Sequence, residues 1–134
     1  IVLDTNALLI SIARKSKYRI VFDSILNGKI ELMVSNEILN EYIEIIERKT
    51  NPIIANNIAD LLINRDNVKK IDVHFKWNLI TQDPDDNKFV DCAIAGRVRY
   101  VVTNDNHFQI LKTIPFPNVD IISIQDFIKE LDNI

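Results

Sequence analysis

Apolar and polar positions along this chain fall into short blocks whose period changes repeatedly. Ile1-Val2-Leu3-Asp4 is an apolar run closed by an acid, the pattern of a buried strand whose last residue reaches a sheet edge. A mostly helical stretch follows, Leu32-Met33-Val34 supplies a second strand, and Ser35 or Asn36 can cap a helix that continues through about Arg48. Another helix is predicted from about Pro52, at a first-turn position, to Asn64. Val68 to Val73 alternates loosely as a third strand, Thr81-Gln82-Asp83-Pro84-Asp85 is a polar turn, and a helix runs from about Asp86 to Arg97. Tyr100-Val101-Val102-Thr103 makes a fourth strand, Asn104 to Lys112 a short helix ended by Pro115 and Pro117, Val119 to Ile122 a fifth strand, and Ile124 to Leu131 a closing helix.

Strands alternating with helices from end to end, without repeat or linker, predict one α/β domain over residues 1–134 with a central, mostly parallel sheet. Such sheets bind ligands beyond the carboxyl ends of their strands. That selects Asp4, after the first strand, and Asp105, just beyond the fourth. Two carboxylates meeting there would repel unless a cation joined them or a pKa rose. The competing reading is that each merely caps a turn or helix.

Three more acids need weighing. With about 100° per residue and Ile38 at zero, Tyr42, Ile46, Leu39, Ile43 and Ile45 form one apolar arc, and Glu41 lies about 40° from Ile45, at the border of the buried stripe. Glu37, Glu44 and Glu47 lie further round, on a solvated face. Asp83-Pro84-Asp85 has turn chemistry, and Asp86 is placed to cap a helix. Asp91 is surrounded by apolar or small residues in Phe89-Val90-Asp91-Cys92-Ala93-Ile94-Ala95-Gly96, so it approaches burial and asks for a cation, a basic side chain or helix-end donors.

Composition narrows the alternatives. The 134 residues are 47% hydrophobic and 26% charged, which suits a globular domain with its own core and excludes a disordered or collagen-like chain. With only Gly28 and Gly96, neither a dinucleotide fingerprint nor a phosphate-cradling P-loop can be built. The lone Cys92 forms no internal disulfide and no multi-cysteine zinc site, which makes a reducing cytoplasm the simplest compartment. Apolar runs such as Ala7-Leu8-Leu9-Ile10 fall far short of the roughly 20 residues of a membrane helix, so no membrane role is expected. A first residue Ile1 in place of Met leads us to expect one or a few preceding residues in the natural chain.

Taken together, Ile1-Val2-Leu3-Asp4-Thr5-Asn6, Val34-Ser35-x-x-Ile38-x-x-Glu41, Asp83-Pro84-Asp85-Asp86-Asn87-Lys88-Phe89-Val90-Asp91-x-Ala93 and Val102-Thr103-x-Asp105 resemble the PIN-domain ribonucleases, and most of all the branch regarded as toxins of toxin–antitoxin systems. The resemblance runs in order from residue 1 to about 124. It implies a Rossmann-like α/β/α sandwich with a parallel sheet of about five strands and a Mg²⁺- or Mn²⁺-dependent nuclease site of converging acids. By position, Asp4, Glu41, Asp86 and Asp105 match the family's acidic quartet, Asp91 matches a fifth acid of this branch, and Asn6 and Thr103 match supporting polar residues. Asp86 and Asp91 lie about 140° apart on a helix, which leaves the primary ligand between them open. The resemblance also implies an RNA substrate, an antitoxin partner and a homodimer. Oxygen ligands suit Mg²⁺ or Mn²⁺, which can activate a water against a phosphodiester.

Two other functions compete. A phosphatase using Asp4 as nucleophile lacks the second acid two residues on, where Asn6 stands. A non-catalytic binding module would not need acids at every matched position. Lys88, beside Asp86, is the first candidate for a phosphate contact, ahead of Lys69, Lys70, Arg97, Arg99 and Lys112. His74 and His107 are isolated; His107 lies two residues after Asp105, which sets a role near the site against the commoner reading of a surface or satisfied-core position. Phe75 and Trp77 can stack on bases, although a core or interface role is the commoner use of such rings. The formal charge of -3 argues against a polyanionic substrate only until the five site acids are set aside, when the remainder of the chain becomes +2. So small a surplus predicts RNA binding that depends on metal.

Overall fold

Short polar side chains set the helix starts. Asp4 caps α1 (Thr5–Ile12), Ser35 caps α3 (Asn36–Lys49), Asn51 followed by Pro52 starts α4 (Pro52–Ile63), and Ser123 caps α6 (Ile124–Leu131), each accepting a backbone N–H from the first turn. α2 (Arg19–Leu26) fills the remainder of the stretch read as mostly helical, and α5 (Asn87–Gly96) follows a single 3-10 turn at Pro84–Asp86. These elements come from a computed structural model that describes residues 1–133; Ile134, the last residue of the expected domain, lies outside the described residues.

The strands are short and parallel: β1 (Val2–Leu3), β2 (Leu32–Val34), β3 (Val68–Lys70), β4 (Val101–Val102) and β5 (Ile121–Ile122). Val2 pairs with Val101 and Leu3 with Val102, which pair in turn with Ile121 and Ile122, while Leu32–Val34 pairs with Val68–Lys70. The expected sheet of about five strands is therefore a three-stranded ladder, β1-β4-β5, beside a two-stranded one, β2-β3. Between them the Met33 N–H donates to Ile1 O and the Ile1 ammonium donates to Glu31 O, both at 2.8 Å, two bonds centred on one residue where a continuous ladder would have more. Across both ladders the strands run β3-β2-β1-β4-β5, so the direction of succession reverses at β1, the position where α/β sheets open a ligand crevice.

Helices cover both faces, and Val2, Leu3, Val101 and Val102 are wholly buried. On α3, Ile38, Tyr42 and Ile46 are buried and Glu37, Glu44 and Glu47 exposed, as the helical wheel predicts. The short helix expected after β4 is of the 3-10 type and runs over Asn106–Thr113, with Asp105 capping it from just beyond the strand. No helix among the described residues is long and apolar enough to cross a membrane.

Candidate metal centre

β1 and β4 end side by side, so the residues that follow them meet. Asp4 follows β1 and is 6% exposed. Its Oδ1 accepts the Ala7 N–H at 2.7 Å and its Oδ2 accepts the Thr103 hydroxyl. Thr103, directly after β4, in turn accepts the Asp105 N–H at 3.0 Å, so one hydroxyl joins the two strand-end acids. Burial raises the Asp4 pKa, the bonds from Thr103 and Ala7 pull it down, and the charges of Asp105 and Glu41 push it up. Asp4 is thus both a helix cap and a member of an acidic group.

Glu41 reaches the same end of the sheet because its neighbour Tyr42 is fully buried and donates its hydroxyl to Leu3 O, fastening α3 to the tip of β1. The Glu41 carboxylate takes the Thr5 hydroxyl on Oε2 and the Lys88 ammonium on Oε1, the latter at 2.7 Å. Burial works to lower the Lys88 pKa, but the hydrogen bond and charge of Glu41 prevail and raise it. Lys88, expected to meet a substrate phosphate, is engaged with an acid of the site.

Asp86 occupies the N-cap position of α5 yet makes no capping bond with its side chain. Its Oδ2 is buried without a hydrogen-bond partner, and so is Nδ1 of His107. The two atoms stand 3.5 Å apart, and the same Nδ1 lies 3.4 Å from Asp105 Oδ1 and 3.9 Å from Asp83 Oδ2. Burial, then the charges of Asp105 and Asp83, lift the Asp86 pKa to about 7, with His107 opposing them. Asp83, Asp86 and His107 each offer a ligand atom within 4.8 Å of the others. An orphaned carboxylate oxygen, an ionised form disfavoured by neighbouring acids, and further carboxylates close by form a donor set that fits a divalent cation.

Asp91 departs from the expectation that it joins this group. It is buried, but its Oδ1 accepts the Trp77 N–H at 3.1 Å and its charged neighbours are Lys76 and Glu37. The angular separation from Asp86 on α5 turns it toward the loop that precedes residue 83. Burial raises its pKa, and the Trp77 bond and Lys76 lower it. Asn87, the residue between a site acid and the core, holds the same loop with Nδ2 donating to Ile80 O at 2.9 Å and Oδ1 accepting the Ile80 N–H at 2.8 Å. Asn6 is exposed on α1, and among the described residues its side chain makes no hydrogen bond.

Two participants, Asp83 and Thr5, escaped the sequence reading, and a third, His107, was ranked below a surface or satisfied-core position. Asp83 looked like turn chemistry, and it does accept the Asp85 N–H. His107 had a usable signal in its spacing: the 3-10 turn begun by Asp105 brings residue 107 back over the carboxylate that caps it. Thr5, which follows Asp4 and binds Glu41, had none beyond adjacency.

A crevice of acids at the switch point of a parallel α/β sheet defines a class that sequence comparison identifies. The profile of the PIN domain matches residues 1–107, and the chain belongs to the PIN-domain family. Comparison with curated proteins gives no match. Among solved structures, the fold is similar to VapBC2 from Rickettsia felis bound to a DNA fragment from their promoter, with TM-score 0.62 and 18% identity over 91% of this chain and 96% of that one. It is also similar to DNA-bound VapBC from Salmonella typhimurium, with TM-score 0.61 and 21% identity over 92% and 96%.

Proposed function

We propose that this protein is a metal-dependent endoribonuclease that hydrolyses RNA phosphodiester bonds, acting as the toxin of a toxin–antitoxin pair in the cytoplasm. The observation that carries the reading is the partnerless Oδ2 of Asp86, buried beside Asp83, Asp105 and His107 at the end of β4. Membership of the PIN family and a fold shared with VapBC support it. The antitoxin is proposed to cover the acidic crevice, and a homodimer is proposed for the assembly.

Asp86 and Asp105 would hold Mg²⁺ or Mn²⁺, with Asp4 and Asp83 beside them; the imidazole of His107 favours Mn²⁺ over Mg²⁺ if it binds directly. When bound, such an ion lowers the pKa of a water and offsets charge on the phosphate oxygens. The protein's own groups do the remainder. Thr103 fixes Asp4 and Asp105 relative to one another, and the Asp4 carboxylate, oriented by that hydroxyl, would accept a proton from an attacking water. Lys88 holds the Glu41 carboxylate in place through its ammonium, and Thr5 orients it.

Asp4→Asn and Asp105→Asn in the purified protein are expected to abolish Mn²⁺-dependent cleavage of single-stranded RNA while circular dichroism stays native. Cleavage retained by both would remove the assignment, and calorimetry showing no Mn²⁺ binding to the native chain would favour a binding module.

A further inference from the structure

We infer that Nδ1 of His107 is a direct metal ligand that, with Asp83 and Asp86, makes the crevice a mixed nitrogen–oxygen site selecting divalent transition ions over Mg²⁺. The inference rests on the nuclease reading and names the class of ion on which that activity would depend. A ring of carboxylates alone suits Mg²⁺, whereas an imidazole ligand draws ions of the series from Mn²⁺ to Zn²⁺.

The acids of the crevice divide by what answers them. Both oxygens of Asp4 are engaged, by the Ala7 N–H and the Thr103 hydroxyl, and both of Glu41, by the Thr5 hydroxyl and the Lys88 ammonium. Asp83 and Asp105 each give Oδ1 to a backbone N–H, that of Asp85 and that of His107. Oδ2 of Asp83 then faces Nδ1 of His107 at 3.9 Å, and Oδ2 of Asp86 faces it at 3.5 Å. The Asp86 oxygen and the His107 nitrogen are both buried without a hydrogen-bond partner. Metal–ligand bonds of about 2.0–2.2 Å put adjacent ligand atoms about 3 Å apart and opposite ones about 4–4.4 Å apart. Both separations from Nδ1 fall in that range, and one ligand atom of each residue lies within 4.8 Å of the other two.

The imidazole is held in place by packing. The His107 backbone is fixed through its N–H to Asp105, and the next residue, Phe108, is wholly buried. The Phe108 ring lies against that of Phe89 with centroids 6.4 Å apart, which ties the 3-10 helix carrying His107 to α5, with Asp86 at its N-cap. Asp83 caps the 3-10 turn Pro84–Asp86 that leads into the same helix. The three ligands therefore belong to one packed unit, and little ordering is left for an ion to impose. The competing account makes His107 an imidazolium counter-ion to Asp83, Asp86 and Asp105, and it predicts the opposite result on substitution.

Bound Mn²⁺ reports its own ligands. In the RNA-free protein its electron spin echo is expected to carry modulation from a directly bound nitrogen, and His107→Ala should abolish that modulation. Calorimetry should show the native chain binding Mn²⁺ about a hundredfold more tightly than Mg²⁺, and His107→Ala should cut the ratio to about tenfold or less, because only oxygen ligands remain. Alanine keeps the backbone N–H that Asp105 accepts, at a partly exposed position, so the fold should survive. His107→Asp should lose the nitrogen signal and raise the affinity for Mg²⁺. Bound Mn²⁺ without nitrogen modulation, or equal losses for the two ions in His107→Ala, would overturn the inference. A gain in Mn²⁺ affinity in His107→Ala would overturn it as well and leave the imidazole as a counter-ion. RNA cleavage supported by Mn²⁺ whose echo lacks nitrogen would remove the inference and spare the nuclease reading, and nitrogen-ligated Mn²⁺ without RNA cleavage would do the reverse.

Discussion

Two carboxylates five residues apart, the half-buried Asp86 at the N-cap of α5 and the buried Asp91 within it, illustrate how little burial alone says about function. Both have raised pKa values and both owe them first to burial. They differ in what surrounds them. Asp91 has a backbone N–H from Trp77 and the ammonium of Lys76 nearby, so its charge is answered within the protein. Asp86 has two more acids nearby, and an Oδ2 without a hydrogen-bond partner whose one basic neighbour is His107 Nδ1 at 3.5 Å. A buried charge left uncompensated is costly, so its retention points to a cation from outside the chain.

The largest expected effect separates them by activity. Asp86→Asn should reduce Mn²⁺-dependent cleavage by about a hundredfold or more, because it removes charge at the point where the ion is held. Asp91→Asn, which keeps an acceptor for Trp77, should stay within about tenfold of the native rate. Equal losses in the two variants would return Asp91 to the ligand set that its sequence position suggested.

The next effect is a pH dependence led by Asp86, with Asp4 and Asp91 shifted in the same direction. Its pKa in the metal-free fold is about 7, above the roughly 3.9 of an unfolded chain. Between those values the folded state binds more protons than the unfolded one, so stability falls as pH rises from about 4 to about 7. Thermal melts of metal-free protein should therefore show a higher Tm at pH 5 than at pH 8. Mn²⁺ should raise the Tm most at the higher pH, where it has no proton to displace. In Asp86→Asn both the slope and the Mn²⁺ effect should shrink; a slope that survives intact would place the titration on another group.

How much of this was legible in sequence follows from the range of the forces involved. Period and capping act over a few residues, and Ser35, Asn51-Pro52 and the buried stripe of α3 could be read from neighbours alone. Asp4 and Asp105 were readable as strand-end acids because strand ends carry the crevice in any parallel α/β sheet. The ladder break between β1 and β2 was not, since it turns on the two bonds that Ile1 makes across the gap. His107 was only weakly readable: its spacing from Asp105 was visible, but its place over that carboxylate depends on a 3-10 turn, a hydrogen-bond register that the pattern Asn104–Lys112 does not encode. Asp91 was read correctly as buried, while its partner lay 14 residues earlier in a loop without periodicity.

The smallest expected effect tests what Asp91 does if it holds no metal. Asp91→Ala leaves the Trp77 N–H without its acceptor and should cost about 1–2 kcal/mol, or a Tm lower by about 3–6 °C for a domain of this size. Asp91→Asn keeps the acceptor and should cost less than half as much. Because that bond anchors the loop and not the ion, the Mn²⁺-induced rise in Tm should be the same in Asp91→Ala as in the native chain once the baseline is subtracted, whereas Trp77 emission should shift as its backbone is released. A metal response that fell along with the baseline would mean that the loop and the acidic crevice are a single cooperative unit, and the distinction between the two carboxylates of α5 would then be one of degree.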